Sequence, residues 1–222
     1  MQPLSIFDMD KTITRAATFG PFLAYAVPRH ARWRALLLPL VLLTSLGFLA
    51  RIISRGRLKE INLSLMLGRR IDADRLAALS KGFAGQTLAR NCLAPALARI
   101  EAERAAGRRV VLATASYAFY VREIAALLGI GDVIATRTTD MGRTVSPRID
   151  GENCYGPAKL RMVTAWMAAQ GIDRAAVHIR FFSDHVSDAP CMEWADEAVA
   201  TNPHAPLRTL AAERGWHVVD WT

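Results

Sequence analysis

The chain has 222 residues, 52% of them hydrophobic and 22% charged, which suits one catalytic domain with a smaller appended module and excludes a disordered or low-complexity protein. No internal repeat points to a solenoid. The formal charge is +8, and nine cations against the single acid Glu60 between residues 28 and 70 account for the whole excess. Neither aromatic interleaving nor a recognisable motif accompanies them, so a nucleic-acid partner is not expected.

In chain order, Leu4–Phe7 is a short apolar run ending at Asp8 and reads as a buried strand. The three residues before it lack the charged and long apolar regions of a signal peptide. Residues 14–97 then look helical throughout, with no convincing strand, and read as an insertion between the first and second strands of a sheet. Inside it, residues 35–50 form a run of sixteen without a charge, flanked by Arg29, Arg32 and Arg34 before and by Arg51, Arg55 and Arg57 after. A spanning helix needs about twenty apolar residues, and Pro39 and Gly47 interrupt this one. A single crossing would also part Asp8 from every reactive residue that follows. Two readings remain: a buried cap helix, or a shallow monotopic hairpin turning near residues 45–47 with its arginines on anionic headgroups.

Beyond the insertion, residues 109–113, 132–136, 178–182, 197–201 and 216–221 read as strands, and residues 117–128, 158–170 and 207–214 as helices. Gly129 and Gly171 stand where helix C-caps are expected. Strands alternating with helices predict an α/β fold with a Rossmann-like parallel sheet. Cys92, Cys154 and Cys191 have neither paired nor metal-ligand spacing and are expected as reduced, buried thiols in a cytoplasmic protein. The five tryptophans and the Tyr117, Phe119 and Tyr120 cluster are expected in the core.

Open parallel sheets bind ligands at the carboxyl ends of their strands, and the polar residues cluster there. Asp8, Asp10 and Thr12 follow the first strand, Thr114 and Ala115 the second, and Asp184 and Asp188 the fourth, while Lys159 opens a helix. Asp8, Asp10 and Asp184 brought together would repel one another unless a cation neutralised them, and Mg²⁺ with oxygen ligands fits. Asp8 could attack phosphorus, Asp10 could exchange a proton with the leaving oxygen and then with water, and Lys159 and the Thr114–Ala115 turn could hold the phosphoryl oxygens. Ser116 and His185 lie beside these positions and read as loop or pocket residues. Asp10-Lys11-Thr12-Ile13-Thr14 also resembles the phosphorylation motif of P-type ion pumps, which would make Asp10 the nucleophile, but the chain lacks a pump's length and membrane helices.

These four motifs, in this order, resemble the haloacid dehalogenase superfamily and its phosphoserine-phosphatase-like branch (subfamily IB), with a helical C1 cap after the first strand. The resemblance implies a catalytic core of residues 1–14 and 98–222 and a cap of residues 15–97, whose part 29–70 would associate with a membrane. It implies Asp8 as nucleophile and metal ligand, and Asp10 as general acid/base with its backbone carbonyl on Mg²⁺. Thr114, Ala115 and Lys159 would bind phosphate, Asp184 would ligate the metal, and Thr12 and Asp188 would support the site. Where phosphoserine phosphatases carry a glutamate for the substrate ammonium, residues 15–20 hold no acid, which disfavours an amino-acid phosphate. The cap, with Thr18-Phe19-Gly20-Pro21-Phe22-Leu23-Ala24-Tyr25 and Leu37-Leu38-Pro39-Leu40, resembles phosphatidylglycerophosphatase C and the CicA-type proteins. That implies a phospholipid monophosphate as substrate, an anionic membrane surface as partner, and a peripheral or monotopic place at the inner face of the membrane. A phosphatase of a small soluble metabolite and a membrane-recruited regulator with a vestigial site are the alternatives.

Overall fold

The computed structural model describes residues 2–221. Its eight strands are β1 (Leu4–Phe7), β2 (Ile71–Asp72), β3 (Arg109–Tyr117), β4 (Asp132–Asp140), β5 (Thr144–Asp150), β6 (Ile179–Ser183), β7 (Glu197–Thr201) and β8 (His217–Val219). They form one sheet in the order β2-β5-β4-β3-β1-β6-β7-β8. The six strands from β4 to β8 are mutually parallel, and β5 and β2 add an antiparallel edge. The central strand β1 is buried at every residue, as a parallel strand covered on both faces must be. The chain runs from β1 outward to β4 on one side, then crosses back to β6 on the other, so the sheet's switch point lies at β1.

The helices are α1 (Phe19–His30), α2 (Leu38–Leu49), α3 (Arg55–Leu67), α4 (Ala73–Arg90), α5 (Ala94–Ala105), α6 (Ala118–Leu127), α7 (Pro157–Ala169), α8 (Ala189–Trp194) and α9 (Ala205–Arg214). Gly129 and Gly171 follow α6 and α7 with φ of +65° and +64°, the left-handed conformation that closes a helix end at least cost for glycine. The parallel α/β sheet agrees with the expected fold class, but two strands were not anticipated. β5 returns antiparallel to β4, and Ile71–Asp72 inside the insertion pairs with Val145 and Thr144 of β5. The insertion is therefore not wholly helical; it supplies the edge of the sheet.

Thr14 and Cys92 form a β-bridge, and Leu93 N–H donates to the Ile13 carbonyl at 2.9 Å, so the insertion leaves and rejoins the sheet layer at one place. The expected cap boundary at residue 97 falls within α5. Helices α1 and α4 lie over α6, where Phe22 stacks on Tyr120 at 5.0 Å and meets Phe83 edge-on at 5.4 Å. This part of the insertion shares the main core with Phe7 and Leu112. Tyr117 and Tyr120 are fully buried as expected, but Trp33 is 58% exposed.

The apolar run behaves differently. A 3₁₀ turn (Arg32–Leu37) and α2 make one apolar helical stretch, Arg32–Leu49, with none of it buried. Leu36 is 81% exposed, Leu42 67% and Leu49 73%, so the buried-helix reading is overturned. The turn expected near residues 45–47 is not found there: α2 runs through them and the chain turns at residues 50–54. Gly47 is accommodated because a short helix tolerates one glycine, and Pro39 sits in the first turn of α2, where its missing N–H costs nothing. Helix α3 then returns alongside α2, joined by Thr44 Oγ1 donating to Asn62 Oδ1 at 2.7 Å.

Candidate active site

Three strand ends position the site. Asp8 directly follows β1, whose Phe7 pairs with Leu112 of β3 and Phe182 of β6, and Asp8 N–H donates to the Phe182 carbonyl at 2.9 Å. Thr114 and Asp184 therefore emerge on either side of Asp8. The loop after Asp8 turns sharply: the N–H groups of Thr12, Ile13 and Thr14 all converge on the Met9 carbonyl, and Lys11 takes φ of +61°, a strained state for a non-glycine residue of the kind found at functional sites. Thr14 braces the turn, accepting from Lys11 N–H at 3.2 Å. Thr12 was expected in that role, but its buried hydroxyl has no partner among the described residues.

Lys159, from the first turn of α7, is 2% exposed and binds two carboxylates: Asp8 Oδ1 at 2.8 Å and Asp188 Oδ2 at 2.6 Å. Ser183 Oγ also donates to Asp188 Oδ2, at 2.7 Å. One ammonium thus joins a carboxylate 151 residues before it to one 29 residues after it. Burial pushes Asp8 up to about 8 despite Lys159, with Asp188 and Asp184 adding to the rise. Asp184 rises to about 6 by burial, with Asp188 adding. Burial works against the Lys159 ammonium, but Asp188 and Asp8 hold its pKa well above the ordinary value.

Asp10 faces the other way. Its Oδ1 accepts from Thr18 N–H at 3.0 Å and from the Thr18 hydroxyl at 2.8 Å, and its Oδ2 accepts from Ser116 Oγ at 2.8 Å. Burial raises its pKa while these hydrogen bonds pull it back. Ser116 and Thr18 are the residues that sequence reading missed; a serine two positions after Thr114 and a threonine in the insertion carry no signal until the fold brings them to Asp10. Thr114 is 1% exposed and its hydroxyl accepts from Ser116 N–H at 3.2 Å.

Asp8, Asp10, Thr114, Ala115, Lys159, Asp184 and Asp188 all border one cleft of about 250 Å³. Thr12 does not. Arg55 of α3, Tyr155 and His185 complete the mouth, with the Arg55 guanidinium 4.4 Å from the Tyr155 ring centroid. His185 stacks on His204 at 4.2 Å and bonds Ser187 at 2.9 Å.

Among the described residues no three carboxylate, imidazole or thiol side chains converge as a metal cluster. Asp10, expected among the metal ligands, can join them through its carbonyl only, because its carboxylate is turned to Thr18 and Ser116. Asp8 Oδ2, the Asp184 carboxylate and the Asp10 carbonyl accept no hydrogen bond from other described residues. Three oxygen donors beside a surplus of buried negative charge suit a hard divalent cation.

A doubly wound sheet that gathers four carboxylates and a buried lysine at its switch point is the framework of an α/β enzyme. The sequence matches the model of the haloacid dehalogenase-like hydrolases over residues 6–193, and the chain belongs to that family. It is 31% identical over 131 residues to the "inhibition of morphological differentiation protein" of Streptomyces azureus, covering 55% of this chain and 43% of that protein. It is 32% identical over 116 residues to the phosphoserine phosphatase SerB1 of Mycobacterium tuberculosis, covering 52% and 37%. The match spans less than half the length of either relative. Among solved structures, a protein of unknown function from Bordetella pertussis Tohama I superposes with a TM-score of 0.90 over 100% of both chains at 24% identity, a likeness of fold.

Proposed function

We propose that the protein is a magnesium-dependent phosphomonoesterase that works through a phosphoryl group carried on Asp8. The observation that carries this reading is the opposed setting of two acids two residues apart. Asp8 is held by Lys159 through one oxygen and has the other free over the cleft, while Asp10 is half-buried, and desolvation leaves its pKa raised although the Thr18 and Ser116 hydroxyls bonded to it pull it down. Asp8 attacks phosphorus, and the ester oxygen departs with the proton of Asp10. Asp10, now ionised, takes a proton from the water that attacks the acyl phosphate, which releases phosphate and restores Asp8. Lys159, the Thr114 hydroxyl and the backbone of Thr114 and Ala115 hold phosphoryl oxygens as charge shifts among them. Asp8, Asp184 and the Asp10 carbonyl would hold the Mg²⁺, which supplies positive charge against the carboxylates and the phosphoryl group and favours ionised Asp8.

The substrate that suits this chain is a phosphate monoester on a lipid headgroup, such as phosphatidylglycerophosphate, met at an anionic membrane surface on the inner face. The α2 leucines are exposed, arginines stand at both ends of the helix, and α3, the next helix, carries Arg55 to the mouth of the cleft. A groove of about 860 Å³ beside α3 is lined by Arg34, Arg57, Arg69 and Arg148. Each arginine near an anionic bilayer is worth roughly 1 kcal/mol and each leucine fully buried in it about 1.5–3 kcal/mol, enough together for stable peripheral binding without a span. An amino-acid phosphate, suggested by the name of the mycobacterial relative, finds no acid in residues 15–20 for its ammonium.

The test is phosphate release with Mg²⁺ from phosphatidylglycerophosphate in mixed micelles, compared with phosphoserine and sugar phosphates. Preference for the micellar lipid, absent in Asp8→Asn, is expected. Turnover of soluble esters alone would overturn the lipid assignment, and no turnover of any ester the mechanism.

A further inference from the structure

Lys59 is a buried cation that the reaction above does not use. It lies on α3 and is 7% exposed, yet its ammonium makes no ion pair among the described residues. Its Nζ donates to the Ala115 carbonyl at 2.6 Å and to Asn153 Oδ1 at 2.8 Å, and lies 4.4 Å from the centre of the Tyr117 ring. The Thr136 hydroxyl is 2.7 Å from the same carbonyl and 3.1 Å from the same amide oxygen. Lys59 thus joins the insertion to β3 and to the loop that leads into α7, and Thr136 of β4 shares both of its acceptors. Burying a cation against neutral acceptors alone is costly, so its retention calls for a role that offsets the cost. Burial pushes Lys59 down to about 7, with Asp10 as the main opposing influence.

The acceptor matters most. The peptide between Ala115 and Ser116 gives its oxygen to Lys59, while its N–H donates to Thr114 Oγ1 and the Ser116 side chain donates to Asp10. We propose that Lys59 is a positioning residue: by holding this peptide from the cap side, it sets the Ser116 hydroxyl on Asp10 and so aligns the proton donor for the leaving oxygen. The inference rests on the phosphatase reading above and adds a cap residue that touches neither substrate nor metal.

An effect that runs through Asp10 must depend on the leaving group. An alkoxide needs a proton as it departs, whereas p-nitrophenolate leaves almost unaided. The experiment measures kcat/KM of wild type, Lys59→Met, Lys59→Arg, Asp10→Asn and the Lys59→Met/Asp10→Asn double variant on p-nitrophenyl phosphate and on glycerol phosphate, with melting temperatures. The expected result is a loss of at least about tenfold for Lys59→Met on the alkyl ester and less than about threefold on the aryl ester. Lys59→Arg, which keeps donors for both acceptors, should recover part of it, and Lys59→Met should add less than about twofold in the Asp10→Asn background. Equal losses on both esters, or full additivity with Asp10→Asn, would reduce Lys59 to a structural tie and overturn the proposal, as would unchanged rates. A wild-type protein that turns over neither ester, nor the micellar lipid, would instead sink the phosphatase reading and this inference with it.

Discussion

Lys159 and Lys59 are both buried ammonium groups, and their surroundings predict opposite responses to pH. Lys159 neutralises Asp8 and Asp188, so Lys159→Met leaves two carboxylates buried without their cation. The loss should be about 3–5 kcal/mol at pH 8 and above. It should shrink as pH falls below about 8, the value to which burial raises Asp8, because a protonated Asp8 no longer needs a partner; urea unfolding at pH 8 and pH 5.5 checks this. Among the described residues Lys59 has no carboxylate partner. Its folded pKa lies near 7 by burial, below the ordinary value of 10.5, so the penalty of burying its charge is complete below pH 7 and fades as pH rises from 7 toward 10.5. Lys59→Met should therefore melt higher than wild type at pH 6, with the gap narrowing by pH 9, even while activity falls. None of this was legible in the sequence. Lys59 stands in a run of cations with no acid but Glu60, and such a run ordinarily reads as a solvated surface. Asp8, Asp10, Lys159 and Asp184 were legible because each follows a strand end or opens a helix in a fixed order. Thr12 and Thr14 are both threonines in the same turn, and only backbone geometry decides that Thr14 holds it.

At the level of elements, α2 is the part whose sequence and setting disagree most with the habits of a water-soluble fold. Its composition is that of a core helix, yet none of its residues is buried. Because the leucines make no core contacts, Leu43→Glu with Leu46→Glu should change the unfolding free energy by less than about 0.5 kcal/mol, while abolishing co-sedimentation with phosphatidylglycerol vesicles. A large fall in melting temperature would mean that α2 packs in solution after all. The opposite case is Glu103 on α5. It is 2% exposed and receives hydrogen bonds or ion pairs from Ser5, Arg99, Arg108 and Arg180, and these hold its pKa below the usual range although burial opposes them. Glu103→Leu should cost about 3–5 kcal/mol with little effect on kcat, since the cluster lies by β1's first residues, at the opposite end of the strand from Asp8. The strands that went unread have separate physical causes. Ile71–Asp72 is too short to show a period, and Thr144–Asp150, next to that two-residue edge strand, carries a proline, which argues against a strand reading from sequence.

For the whole molecule, the site draws on segments from residue 8 to residue 188, so a cation held there should bind the folded chain alone and stabilise it by mass action. Millimolar Mg²⁺ is expected to raise the melting temperature of the wild type by a few degrees and to do so much less for Asp184→Asn; an equal rise in both would argue against Asp184 as a ligand. The sequence by itself determined the parallel α/β sheet, the place of the insertion after β1 and the four clusters of reactive residues, because strand-length apolar runs, helix-period patterns and polar residues at strand ends are local properties. Only the tertiary structure decided that the apolar run is exposed and not buried, that the insertion lends β2 to the sheet, that Asp10 faces Thr18 and Ser116 while Asp8 faces Lys159, and that Lys59 reaches the Ala115 carbonyl 56 residues away. Each of these depends on which distant surfaces meet, and a one-dimensional pattern records which residues prefer burial without recording what they are buried against.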